Sequence, residues 1–232
     1  MTEPGHEPPD AALGRAWIEV AAQVWRRRPG PVERVATRLL RSPGLARALV
    51  ATPLLLGWVL ATAVVLAVGM LATRQTGTPY VALFAPAVAA VGIAYAYGPG
   101  VDDAWELTCS MAVSDRMVLL VRALAVFGLN AVLGLAAAAG SGLGTAVTFG
   151  WLVPMTAVCA LALAAATLAR SAFVGAAGGV AGWVITVLAG QAAAGRLTTA
   201  VTQSVLIVPY LAVAAGATAV ALYSTRVPRG TA

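Results

Sequence analysis

Hydrophobic and polar positions divide the chain into two unlike regions. From about residue 49 almost to the C-terminus apolar runs recur with only short connections between them, whereas residues 1–48 form the one extended polar region. Each run is close to the ~20 residues that a helix needs to cross ~30 Å of hydrocarbon. The pattern predicts six transmembrane helices, at about 49–72, 80–98, 117–139, 146–168, 173–193 and 204–224, followed by a short tail, 225–232. The expected fold class is therefore all-α, a polytopic membrane protein with a domain of six spans over 49–224.

The polar region carries a second period. Leu13, Trp17, Val20 and Val24 recur at helical steps, with Arg15, Glu19 and Arg26 on the opposite side. After Pro29-Gly30-Pro31 the pattern resumes, with Val32, Val35, Leu39 and Leu40 on one face and Arg34, Arg38 and Arg41 on the other. Amphipathic helices of this kind suit the membrane interface, where Trp17 enters the headgroup boundary and Arg26, Arg27 and Arg28 meet anionic lipid. The same pattern would serve a helix packed on a soluble partner. Residues 1–30 contain no apolar stretch of the kind a cleavable signal peptide requires, so none is expected.

Arginine placement sets the expected orientation, because cytoplasmic flanks retain positive charge. Arg15, Arg26, Arg27, Arg28, Arg34, Arg38, Arg41 and Arg47 precede the first span, which puts the N-terminus inside. Six crossings return the C-terminus inside with Arg226 and Arg229, and place Arg116 and Arg170 there as well. Arg74 and Arg196 fall outside.

Composition narrows the chemistry. The chain is 60% hydrophobic and only 10% charged, against roughly a quarter charged in a soluble domain, so it is not read as a soluble protein. All 15 basic residues are arginine. Without lysine the chain cannot form a P-loop ATPase site, which needs that side chain on the nucleotide phosphates. His6, Cys109 and Cys159 are too few and too scattered for a metal site of His/Cys type, and no metal or other cofactor is expected in this chain. The net charge of +6 is read as membrane orientation, not as nucleic-acid binding.

Four of the nine acidic residues, Asp102, Asp103, Glu106 and Asp115, lie in the connection 99–116 between the second and third spans. Asp102 or Asp103 can cap a short helix running through Trp105, Glu106, Thr108 and Ser110, and Ser114 can cap the third span in turn. Arg116 follows. Arg122 lies about two turns into that span, shallow enough to reach back to the interface.

At these residues the chain resembles the permease subunits of type-two ATP-binding cassette (ABC) exporters. Glu106, the turn at Ser114, Met117-Val118-Leu119-Leu120 and Arg122 follow the order of the family's loop after its second span, with Ala112 where the family usually has proline. The resemblance implies that 99–116 is a coupling helix docking on a separate P-loop ATPase subunit that carries Mg-ATP. Asp102, Asp103, Trp105, Glu106, Thr108, Ser110, Ser114 and Arg116 would be the contact residues. It also implies a second permease copy or a paralogue, transport by alternating access, and export of a hydrophobic or amphipathic substrate across a bacterial inner membrane. The residues taken alone leave open an ordinary solvated loop whose acids balance nearby arginines.

Gly175, Gly178, Gly179 and Gly182 in the fifth span form overlapping Gly-xxx-Gly pairs, which let a neighbouring helix approach closely, within this chain or in a second copy. Intramembrane polar groups are few: Asn130, Thr148, Thr156, Thr186 and Gln191, besides Arg122. No proton relay and no inverted repeat are visible, which argues against a proton-driven secondary transporter. The run from Gly140 to Thr145 reads as a tight turn between helices and not a phosphate loop. No Ser/His/Asp set exists for hydrolysis, so the chain itself is not read as an enzyme. The competing class is a non-transporting anchor, sensor or immunity protein whose Arg-rich N-terminal helices bind a cytoplasmic regulator.

Overall fold

The computed structural model describes residues 14–19, 30–41, 54–97, 115–142, 144–202 and 204–225. They fall into two units, Met1–Val50 and Ala51–Ala232. Every regular element among the described residues is helical.

In the first unit residues 14–19 are helical, and Trp17 is two-thirds exposed. A second helix, α1 (Pro31–Leu40), opens on Pro31, whose missing N–H costs nothing in a first turn, and closes on Arg41 in the left-handed region at φ 50°. Arg34, Arg38 and Val35 are all exposed. The order of residues along this helix is the amphipathic one the sequence predicts.

The second unit contains α2 (Leu54–Thr76), α3 (Tyr80–Tyr95), α4 (Asp115–Gly140), α5 (Thr145–Gly150), α6 (Leu152–Ala169), α7 (Ala172–Ala194), α8 (Thr199–Thr202) and α9 (Ile207–Ser224). Five stretches are long and apolar enough to cross a membrane: Gly57–Thr76, Met117–Gly140, Val147–Ala169, Ala172–Ala194 and Ile207–Ser224. These mark a multi-pass membrane protein. The expected second span is the short one, because α3 has 16 residues and is ~24 Å long. It is also central, packing on α2, α4, α6 and α7 and burying ten of its residues.

The expected fourth and sixth spans are not single helices from end to end. The expected run 146–168 is divided into α5 and α6 at Trp151, and the expected run 204–224 begins with a 3-10 turn, Ser204–Leu206, before α9. The cause is the same. Pro154 and Pro209 each stand at the third position of the long helix, where proline has no N–H for the carbonyl four residues earlier and its ring crowds that carbonyl.

The two breaks belong to a direct repeat. Ala137-Ala138-Ala139-Gly140 and Thr145-Ala146-Val147-Thr148 in one hairpin match Ala192-Ala193-Ala194-Gly195 and Thr199-Ala200-Val201-Thr202 in the next. Leu152-Val153-Pro154 and Ile207-Val208-Pro209 follow in turn, each opening a helix of 18 residues. Thus α4–α5–α6 and α7–α8–α9 are two versions of one unit, a long helix, a short helix, a proline break and a returning helix. The short helices touch, with Gly150 packed so closely on Val201 that a Cβ would lie 2.9 Å from the Val201 carbonyl oxygen. The three turns at this end of the bundle, after α2, α4 and α7, carry Gly77, Gly142 and Gly195 at φ 74°, 79° and 65°, a region that disfavours side chains. We refer to it as the Arg74 end and to the opposite one as the Arg170 end.

Candidate functional site

The loop residues expected to contact an ATPase, Asp102, Asp103, Trp105, Glu106, Thr108, Ser110 and Ser114, lie outside the described residues, as do Arg26, Arg27 and Arg28. Arg116 lies in the first turn of α4. Arg122 is 6% exposed, enclosed among helices instead of extended along the surface of α4. A buried arginine is costly unless it is partnered, and Arg122 is not without a partner.

The four glycines of α7 face neighbours within the same chain. A Cβ on Gly175 would lie 2.5 Å from the Ala166 Cβ and 2.7 Å from the Ala162 carbonyl oxygen. One on Gly179 would lie 2.7 Å from the Ala162 Cβ and 3.0 Å from the Ala90 Cβ, so α3, α6 and α7 converge there. Gly182 meets Leu161 at 2.9 Å and Gly178 meets Ala165 at 3.4 Å. Without a hydrophobic drive between helices in lipid, this close approach of backbones is what holds α7 on α6.

Polar side chains in the bundle find backbone partners in most cases. The exposed Arg74 donates from Nε to the Gly140 carbonyl at 2.7 Å, placing a cation on the C-terminal end of α4, where the helix dipole favours one. Trp183, 2% exposed, donates from Nε1 to the Leu83 carbonyl at 2.7 Å, and so pins α7 to α3. Nearby Pro86 deprives the Ala82 carbonyl of its helical donor, which loosens the α3 ladder around the carbonyl that Trp183 uses.

Three fully buried atoms break this rule. Thr62 Oγ1, Asn130 Oδ1 and Trp151 Nε1 make no hydrogen bond, although their residues are 1%, 1% and 0% exposed. An orphaned buried donor or acceptor costs about 1–3 kcal/mol, so three of them call for a reason. Two share one seam. Trp151 lies at the α5–α6 break with its ring against Gly134 of α4, where a Cβ would stand 2.5 Å from Cη2. Asn130 precedes Gly134 by one turn on the same face, and its Nδ2 donates to the Val126 carbonyl at 2.8 Å, leaving Oδ1 over. Further along α4 towards the Arg74 end lies a cavity of about 10 Å³ lined by Pro79, Val81, Ala82, Ala138, Ser141, Val147 and Thr148.

Sequence reasoning noticed Asn130 and Thr148 as intramembrane polar groups but passed over Trp151, because hydropathy treats an indole as apolar. Proline at 154 was the available sign: a break exposes backbone, and polar groups gather at breaks. Among the described residues no group of three His, Cys, Asp or Glu side chains is placed to hold a metal. No protein-family model, no curated protein and no solved structure matches the chain.

Proposed function

We propose that the chain is the membrane-spanning permease subunit of an ABC-type exporter. It would work with a separate P-loop ATPase that binds Mg-ATP and with a second permease copy or paralogue. The observation that carries the reading is the order of Glu106 and Ser114 between α3 and α4, then Met117-Val118-Leu119-Leu120 and Arg122 in α4. In this reading α3 is a short sixth span shielded by its neighbours, both termini are cytoplasmic, and the Arg74 end faces outwards. The membrane is a bacterial inner membrane. Closure of the ATPase dimer pushes the 99–116 segment, tilts α3 and α4, and opens a path for a hydrophobic or amphipathic substrate. The apolar lining residues, mostly alanine, valine, leucine and glycine, suit such a cargo.

The test is purification of the tagged protein from its native membrane under mild detergent, then ATPase assay in lipid nanodiscs. A stoichiometric P-loop partner is expected, with stimulated ATPase activity that Glu106→Arg abolishes while membrane insertion is unchanged. Purification without any ATPase, or full stimulation in the variant, would replace the permease by the anchor, sensor or immunity reading.

A further inference from the structure

The seam between α4 and the α5–α6 break offers one donor and one acceptor that the protein does not pair. An indole N–H can only donate and the remaining amide oxygen of Asn130 can only accept, so the two are complementary. Gly134 is what lets the Trp151 ring lie against this face of α4. The position of its missing Cβ is 2.9 Å from Trp151 Cζ2, the carbon next to the one that bears Nε1. Asn130 lies about 6 Å lower along the same face of the helix. One turn the other way stands Ala138, then Ser141, both lining the 10 Å³ cavity, which is room for about one water. The Ser141 hydroxyl gives its proton to the Ala138 carbonyl at 2.6 Å, and its oxygen lone pairs are left to accept from an incoming molecule.

The repeat supplies an internal comparison. Counting 54 from Thr145 to Thr199, or 55 from Ala137 to Ala192, the counterparts of Asn130 are Val184 or Ile185, and those of Trp151 are Val205 or Leu206. Val184, Ile185 and Val205 are 46%, 66% and 80% exposed, so the second copy turns these positions outwards, whereas the first buries Asn130 and Trp151. Elsewhere the bundle gives a buried indole a partner, since Trp183 donates to the Leu83 carbonyl. Trp151 is the buried indole left without one.

We propose that water enters the bundle from the Arg74 end, past Ser141 and Thr148, and bridges Trp151 Nε1–H to Asn130 Oδ1. The seam is thereby an exchangeable hydration site inside the apolar bundle. Nothing in this depends on the 99–116 loop, so the site stands whether or not the chain is a permease.

Radiolytic hydroxyl-radical footprinting of the full-length protein in lipid nanodiscs tests it, because radicals form from water held beside a side chain. Trp151 and Trp183 are almost equally buried and differ in whether a protein partner takes the N–H. Trp151 is expected to oxidise several-fold faster than Trp183, and brief mixing with ¹⁸O-water before the pulse is expected to place the heavy isotope in its products. Asn130→Leu is expected to bring Trp151 down to the Trp183 rate, with an unchanged Trp183 rate showing that the bundle is intact. Equal oxidation of the two tryptophans in the wild-type protein overturns the proposal, and so does Trp151 oxidation without isotope uptake. Should the variant fail to fold, the wild-type comparison decides alone.

Discussion

Adding one methyl group at two positions three residues apart on α7 should have opposite effects. At Gly175 the new carbon would stand 2.5 Å from the Ala166 Cβ, 2.7 Å from the Ala162 carbonyl oxygen and 3.0 Å from the Ala166 Cα. All three atoms are backbone or Cβ and cannot rotate away. Since carbon atoms pack best at about 3.5–4.0 Å, α7 must retreat from α6 by roughly 1 Å. Overpacking of this kind costs about 1–3 kcal/mol, against about 0.5–1 kcal/mol recovered by removing a glycine from a helix interior. Gly175→Ala should therefore destabilise the protein by about 1–2 kcal/mol. At Gly178 the nearest atom, the Ala165 Cβ, is 3.4 Å away, close to an ordinary contact. There the helical gain dominates, and Gly178→Ala should be neutral or up to about 1 kcal/mol more stable. Reversible unfolding in mixed detergent micelles, followed by tryptophan fluorescence, would resolve a difference of this size. Adding Ala166→Gly to Gly175→Ala should restore part of the loss and not all of it, because the Ala162 carbonyl stays in place. If Gly175→Ala is as stable as Gly178→Ala, the seam is not closed by this chain's own helices and the glycines serve a different neighbour.

Two further substitutions probe hydrogen bonds that join distant parts of the chain. Arg74→Ala removes both the bond to the Gly140 carbonyl and a cation at the end of α4, and should cost about 1 kcal/mol in the same assay, with Arg74→Lys recovering the dipole part alone; an unchanged midpoint would mean that solvent serves Gly140 equally well. Trp183→Phe keeps an aromatic ring but removes the second hydrogen bond that the Leu83 carbonyl accepts, so a loss of about 0.5–1.5 kcal/mol is expected, and a stability equal to wild type would show that α7 is held on α3 by packing without that bond.

Hydropathy located five of the six expected spans because the length of a bilayer-crossing helix is a property of the bilayer, and the expected 80–98 is instead the shorter Tyr80–Tyr95. The expected 173–193 and 117–139 became Ala172–Ala194 and Asp115–Gly140, and 49–72 became Leu54–Thr76. What hydropathy averages away is the backbone. Pro154 and Pro209 are ordinary apolar residues to a sliding window, yet each removes one donor and breaks a span at its Arg74 end. The repeat was hidden for a related reason. Four matched residues, Thr-Ala-Val-Thr, are faint among so many alanines and valines, and an inverted order was the one looked for, whereas these hairpins run in the same sense. The Gly-xxx-Gly pattern did reveal that a helix lies close to α7, but only three dimensions say that α6 and Ala90 of α3 are the neighbours. For Arg122 its distance from the start of the span pointed to a side chain reaching back to the interface, while its 6% exposure reflects how α4 sits against the rest of the bundle. The loop expected to carry the coupling chemistry lies outside the described residues.

The two hairpins separate what architecture requires from what it tolerates. Both copies keep the Ala-Ala-Ala-Gly end, the short helix, the proline and an 18-residue return, so these features are what the unit needs to fold. The returning helices then pack on one another, and Ala221 is the one residue of α9 that is buried. Where the copies part is in burial. One buries an amide and an indole, Asn130 and Trp151, without a protein partner, and the other turns Val184, Ile185 and Val205 outwards. Selection for stability alone would not keep two orphaned polar groups in an apolar bundle, since each costs about as much as a well-packed core contact contributes. The two orphaned groups make the α4–α5–α6 seam the place where this bundle departs from what packing asks, and hence where a function inside the membrane is best sought.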